Sequence, residues 1–453
     1  MSLHDARRYM SASAPRTPQA HLIESALGGH LFVANGSRLF DAEPELYQRC
    51  GAAMARGDGD EIEVLLRQAG LDGPPLIDDA PLPPPKIRAL SLAIAQKCNL
   101  GCTYCYAQQG EFGAPAKNMA LADALRAVDL LVGDAEPGAR LNLAFLGGEP
   151  LVNRKTLRAA ARKARDLAEA RGAKITFSIT TNGTLLTEDD ARFFEDFGFA
   201  VTISLDGPRE VHDALRPYKG GSGSFDATMR RVAPLLRMQR KMQVAARVTV
   251  TPSNLSLRRT LDTFVAAGFH SVGFSPMLSA PGGRGELQPD DLESMLGEMI
   301  DCGREYERRS KLGERYPFAN MVNAMREIHR GTHRPYPCGA GAGYLGVSAE
   351  GELSACHRFV GDEDGAMGSL ADGVDRTRQA EWLAARHVHR QEPCRSCWAR
   401  YLCGGGCHHE VLHRGRPACD YIRGWLHYCL EAYLRLSPQP GAVGIEAIGA
   451  SYG

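Results

Sequence analysis

Thirteen cysteines stand in the 453-residue sequence, and ten of them fall into two groups. Cys98, Cys102 and Cys105 share the short string CNLGCTYCYAQQG. Cys338, Cys356, Cys394, Cys397, Cys403, Cys407 and Cys419 form the second group, and only Cys50, Cys302 and Cys429 lie outside both. In a reducing compartment, clustered thiols point to metal or iron–sulfur ligation rather than to a disulfide framework. Three thiolates spaced like Cys98, Cys102 and Cys105 can hold three corners of a cubane cluster and leave its last iron open to a bidentate ligand. Zinc is the plain alternative, but a closed zinc site wants four ligands. Cys394 and Cys397 alone would suit a zinc ribbon, whereas seven cysteines in this pattern exceed one.

Other residues gather in strings that read as loops. LAFLGGEPL sets Gly147, Gly148 and Glu149 together, a turn in which glycine permits close backbone approach. SITTNGTLL carries Thr180 and Asn182, TISLDGP carries Ser204 and Asp206, and HDALRP carries Arg216. AARVTVTP places Arg247 on an apolar run, where a cation is costly unless a carboxylate meets it.

The elements that must position these groups follow from periodicity. IRALSLAI, RLNLAFL, KITFSITT, FAVTISL, QVAARVTV and SVGFSPM read as strands, and helical segments lie between them. Strands separated by helices imply a parallel sheet with right-handed crossovers. Six such units are fewer than a full barrel's eight, so 87–290 is expected to be a partial (β/α)6 TIM-like barrel with its chemistry at the C-terminal strand ends. Residues 1–80 read as a small α+β region, a short β-meander followed by helices, and APLPPPK at 80–86 as a stiff linker. A helical bridge is expected over 291–333. The Gly- and Cys-rich block at 334–435 is expected to owe its stability to metal.

Composition narrows the function. Fifty-three basic residues balance 53 acidic ones, which argues against nucleic-acid binding through phosphate neutralisation. No apolar run approaches the ~20 residues that span a bilayer. The opening MSLHDARRYMSASAPRTP has no apolar core of a secretory signal, so a cytoplasmic enzyme is expected, with no membrane partner.

The three-cysteine loop after the first strand resembles that of the radical S-adenosylmethionine (SAM) superfamily, and Gly147-Gly148-Glu149-Pro150 resembles its GGEP motif. The resemblance implies SAM on the open iron of a [4Fe–4S] cluster, cleaved to a 5′-deoxyadenosyl radical that abstracts hydrogen. It further implies Glu149 at the SAM ammonium, Tyr104 near the adenine, Ser204 at the ribose, and Thr180, Asn182, Asp206, Arg216 and Arg247 as further SAM contacts. The second cysteine group, with Gly351 five residues before Cys356, resembles the SPASM extension. That resemblance implies two auxiliary [4Fe–4S] clusters, three clusters in all. Cys394, Cys397, Cys403 and Cys419 would hold one, and Cys338, Cys356 and Cys407 the other. The last corner of the latter is left to Cys429 or to a substrate thiolate. GELSACHRFVG and CWARYLCGGGCH resemble thioether-forming peptide maturases, among them the six-Cys peptide maturases and the quinohemoprotein amine dehydrogenase maturation protein. The expected reaction is therefore a Cys-to-carbon thioether cross-link in a Cys-containing peptide or small protein, with a flavodoxin or ferredoxin as electron donor. Carbon–carbon cross-linking, epimerisation and sulfatase-type formylglycine formation are the alternatives. Sulfatase-maturating enzymes carry an Asp base directly after the Gly-x4-Cys cysteine, where this sequence has His357. Residues 1–80 would suit a winged-helix-like module that grips a peptide by strand addition.

Overall fold

The structure, a computed structural model, describes residues 3–437. Helix α1 (Leu3–Ala12) leads into an antiparallel meander of β1 (Ala20–Ser25), β2 (Gly28–Val33) and β3 (Arg38–Asp41). Helices α2 (Pro44–Arg56) and α3 (Gly59–Gln68) close over it on a small core of Leu31, Val33, Cys50, Ile62 and Leu65. The meander and both helices agree with the sequence reading; α1 was not foreseen. Its apolar residues bury against a helix more than 400 positions away, and no local signal announces that partner. Tyr9 donates to Glu431 at 2.8 Å, His21 meets His427 at 2.7 Å, and Trp398 donates to the Ser13 carbonyl at 2.9 Å.

The barrel follows. Its strands are β4 (Ala89–Gln96), β6 (Arg140–Gly147), β7 (Lys174–Thr181), β8 (Ala200–Ser204), β9 (Gln243–Val250) and β10 (Ser271–Pro276), and β5 (Lys117–Asn118) is a short partner of β4. The six pair in parallel in the order β10-β9-β8-β7-β6-β4. Helices α4 (Leu121–Val132), α5 (Arg154–Ala170), α6 (Glu188–Phe197), α7 (Arg209–Leu215), α8 (Phe225–Met238) and α9 (Leu257–Ala266) make the crossovers. All six strands anticipated from the sequence are present. Strand alternation explains the two faces. Phe177, Ile179, Val201, Ile203, Val244 and Val248 are buried beneath the helices. Thr180, Ser204 and Arg247, on the opposite face, stay accessible from the lumen.

Helices α10 (Pro289–Lys311) and α11 (Ala319–His329) lead to the cysteine-rich region. There β11 (Tyr344–Val347), β12 (Glu352–Ser354), β13 (Ala366–Ser369) and β14 (Gly373–Val374) are followed by α12 (Arg376–Arg386), α13 (Arg400–Cys403), α14 (His408–Arg414) and α15 (Cys419–Leu436). The expectation that this region depends on metal alone is corrected. Strand β11 pairs in parallel with β4, Tyr344 opposite Ala89, so the barrel sheet continues into it. Leu345, Val347, Leu353, Phe359 and Met367 join the main core. The apolar segments are short, so each buries through a distant partner and leaves little periodicity to read. Among the described residues no helix is long and apolar enough to cross a membrane.

Candidate active site

Strand β4 ends at Gln96, and the loop after it carries Cys98, Cys102 and Cys105. Backbone amides fix the loop: Gly101 donates to the Pro217 carbonyl at 2.8 Å and Thr103 to the Leu215 carbonyl at 3.0 Å. The sulfurs receive donors as well. Leu100 N–H lies 3.4 Å from Cys98 Sγ, Asn182 Nδ2 3.7 Å from it, and Gln109 N–H 3.2 Å from Cys105 Sγ. Burial pushes the Cys102 thiol up to about 11, with Arg216 opposing.

The donor set can be tested against a metal. All thirteen cysteines are free. Among the described residues no three sulfurs lie within 4.8 Å of one another. Four Zn–S bonds of about 2.3 Å would draw sulfurs closer than that. Grouped thiols held too far apart for one ion fit the corners of a cluster.

Glycine is required beside this loop. Gly147 has φ +141°, and a Cβ on Gly148 would stand 2.4 Å from the Lys97 carbonyl oxygen and 2.9 Å from Gly110 Cα. The Gly-Gly turn therefore lies flat against the cysteine loop. Glu149 itself is buried at the turn. Glu149 is 0% exposed, and its carboxylate accepts from Leu151 N–H (3.0 Å), Thr181 Oγ1 (2.7 Å) and Asn182 N–H (2.8 Å). It ties the β6 loop to the β7 loop and is a positioning residue.

Asp206 and Arg216 meet each other inside the barrel. Both are buried and form an ion pair at 3.5 Å. Tyr104 OH donates to Asp206 and accepts from Arg216. Thr249 N–H adds a bond to Asp206 at 3.1 Å. Burial raises the Asp206 carboxyl while Arg216 holds it down. Arg216 Nε is buried and has no hydrogen-bond partner. Asn182 serves the loop, its Nδ2 2.9 Å from Asn99 Oδ1.

The lumen presents other candidates. Thr180 is exposed there, and Ser204 lies opposite Arg247 in the β8–β9 register. Arg247 in turn pairs with Gly273 on β10, where the missing side chain leaves room for the guanidinium. Burial lowers the Arg247 pKa, and no carboxylate offsets it.

The second cysteine group divides. Cys394, Cys397, Cys403, Cys407 and Cys419 all line one cavity. Cys338 and Cys407 act electrostatically on Cys356, whose thiol burial pushes up to about 12. Cys429, one of the two completions left open by the sequence, stands apart from both sets. It is fully buried in α15 with Sγ 3.9 Å from Met321 Sδ. Cys429→Ala should keep full iron content and SAM cleavage and lose about 1 kcal/mol of stability through the small void. Iron analysis and thermal unfolding check both. His357 follows Cys356; its Nδ1 lies 2.8 Å from Tyr344 OH, which meets Ser91 Oγ at 2.8 Å. Burial, with the Arg358 and Arg247 cations, pushes this imidazole down to about 4.

The sequence reading missed Thr181, Asn99 and Thr249. Thr181 adjoins Thr180, but strand alternation sends it to Glu149 rather than to the lumen. That signal was available in the period of two.

Residues 92–252 match the profile of the radical SAM superfamily. This is a radical SAM domain. Such a domain works with SAM and a [4Fe–4S] cluster. An uncharacterised protein of Archaeoglobus fulgidus is 28% identical over 354 residues, 74% of this chain and 79% of its own. The serine-type anaerobic sulfatase-maturating enzyme of Klebsiella aerogenes is 27% identical over 360 residues, 76% and 85% of the two chains. Among solved structures, native anSMEcpe with bound AdoMet and the Cp18Cys peptide superposes with a TM-score of 0.62 at 21% identity, covering 78% of this chain and 98% of that one. Streptococcus suis SuiB bound to its precursor peptide SuiA gives 0.50 at 15%, covering 88% and 97%. At these identities the two structures share the fold, a radical SAM barrel extended by a cysteine-rich region.

Within the radical SAM domain, Gly148→Ala should cost about 1–3 kcal/mol and lower SAM cleavage, because backbone crowds the new methyl on both sides. Thermal unfolding and the rate of 5′-deoxyadenosine release measure the two effects.

Proposed function

We propose that the chain is a radical SAM enzyme that oxidises a residue of a peptide or protein substrate. The observation that carries this reading is the pair of cysteine environments on one continuous sheet. A three-thiol loop stands at the end of β4, and a cavity lined by five cysteines stands in the region that β11 joins to that strand. SAM with the first cluster would supply a radical that removes a hydrogen atom from the substrate. Cys98, Cys102 and Cys105 would hold that cluster; Thr180, Ser204 and Arg247 would face the bound SAM, with Arg247 suited to its carboxylate. Cys394, Cys397, Cys403 and Cys419 would hold one auxiliary cluster, and Cys338, Cys356 and Cys407 the other. Three clusters correspond to about twelve irons per chain. The reductant would be a one-electron carrier of flavodoxin or ferredoxin type.

Formylglycine-type oxidation of a seryl or cysteinyl side chain now leads. Relatives that match about three quarters of this chain are named serine-type anaerobic sulfatase-maturating enzymes. His357 after Cys356 is the departure that counts against this reading, its imidazole hydrogen-bonded to Tyr344. Thioether formation is the second reading. It is favoured by the three-thiol set of Cys338, Cys356 and Cys407, which Cys429 does not complete and a substrate thiolate could. In that case the meander's edge strand β3 would be available to a leader segment.

The experiment is anaerobic incubation of the reconstituted protein with SAM, dithionite and two peptides, a sulfatase-type Cys/Ser peptide and a Cys-rich precursor. An aldehyde that traps a hydrazide supports the first reading. A loss of alkylatable thiol without aldehyde supports the second. SAM cleavage that neither peptide stimulates, with both recovered unchanged, counts against peptide oxidation.

A further inference from the structure

Helix α14 turns two imidazoles onto one face. His409 and His413 are four residues apart, which makes them neighbours on a helix, and their ring centroids lie 4.4 Å apart. Asp362 reaches them from the loop that follows Phe359, with Oδ2 2.8 Å from His413 Nε2. One potential ligand atom from each of the three lies within 4.8 Å of the others. Bonds of about 2.0–2.2 Å from one ion to imidazole nitrogen and carboxylate oxygen fit that span. His409 Nδ1 is buried and has no hydrogen-bond partner. This cluster differs in kind from the thiol groups, being compact and built of nitrogen and oxygen donors.

The local sequence is His409-Glu410-Val411-Leu412-His413. That spacing lets a helix present two imidazoles to one zinc ion, and in metalloproteases the intervening Glu serves as the base. Here Glu410 is engaged elsewhere. It accepts from Arg358 Nη1 at 2.8 Å and bonds the Cys407 side chain. The set is thus suited to holding an ion, not to the hydrolysis the spacing serves elsewhere. Asp362, His409 and His413 also border a pocket with Tyr106, Phe112 and Ser279, so an ion held there would have an open coordination position on its accessible side.

We infer that Asp362, His409 and His413 bind one divalent transition-metal ion, zinc or iron(II), in a site separate from the cysteine-held clusters. Two imidazoles and one carboxylate with a vacant position suit either ion, and zinc binds such donors more tightly than iron(II). The site stands independently of the peptide-oxidation reading, because its donors are not cluster ligands.

The test uses full-length, cluster-reconstituted protein washed with EDTA and then titrated anaerobically with Zn²⁺. One zinc ion per chain should be taken up with iron content unchanged. X-ray absorption at the zinc edge should show nitrogen and oxygen neighbours at about 2.0–2.1 Å and no sulfur near 2.3 Å. His409→Ala and His413→Ala should each weaken uptake at least about tenfold, as expected on losing one of three protein ligands. Excess Fe²⁺ should compete, and less tightly than zinc. The inference falls if the wild-type protein takes up no zinc, if sulfur neighbours appear, or if the histidine variants bind zinc like wild type. Should the alanine variants lose iron, the wild-type absorption spectrum still decides between His/Asp and thiolate ligation.

Discussion

Cys98→Ala should bring 5′-deoxyadenosine formation to background and remove about four irons per chain. Three thiols hang from one loop at the end of β4, and nothing nearby can replace one of them. Cys98 Sγ is also where the loop meets its support, since Leu100 N–H and Asn182 Nδ2 both point to it. Asn182 donates its backbone N–H to buried Glu149 in turn, so the sulfur is placed by three loops together. Removing the sulfur takes away a cluster corner and leaves those donors facing a void. Cys429→Ala is the matched control, a cysteine lost from the core with no cluster affected. Wild-type 5′-deoxyadenosine release from the Cys98→Ala protein would overturn the assignment.

The second large effect is expected at Cys394→Ala. Cys394, Cys397, Cys403 and Cys419 converge on one cavity, and burial pushes the Cys394 thiol up to about 12, with Arg416 as the nearest opposing cation. A buried thiolate survives only beside compensating charge, and a cluster supplies it. Loss of Cys394 should therefore lower iron by about four per chain and abolish substrate modification, while the first cluster still cleaves SAM. Separating cleavage from modification in this way distinguishes an auxiliary cluster from general misfolding. Full iron content with normal product would show that the cavity holds no cluster.

Much of this architecture could be read from the chain itself. The six strands announce themselves because each is a short apolar run closed by Gly or Asp, and parallel order follows from the helices between them. The cysteine groups announce themselves by spacing. What could not be read is which polar group spends itself on which. Glu149, Asp206 and Arg216 all stand at loop positions read from residue type alone, and the fold gives each a partner within the protein. Arg247 carries the same charge as Arg216 and remains unpaired, because its strand neighbour in register is Gly273 rather than an acid. Spacing along a chain records residue types; pairing across 100 or 250 positions is a property of the fold, as Tyr104 with Arg216 and Ser91 with Tyr344 illustrate. The same distance hid α1 and the junction of β11 with β4.

That junction has a consequence for how the protein can be dissected. Strand β4 is central only because β11 covers one side of it, with Leu345 opposite Leu90 and Val347 opposite Leu92. Truncation before residue 334 would uncover a row of unpaired amides and carbonyls along a strand whose residues from Leu90 to Gln96 are all buried in the intact chain. An apolar edge left bare from Ala89 to Leu92 is a template for intermolecular pairing. The isolated barrel should therefore aggregate, as light scattering during refolding would show, even though it retains every ligand of its own cluster. The cysteine-rich region is thus a structural flank of the barrel sheet, closing the edge that the barrel by itself would leave open.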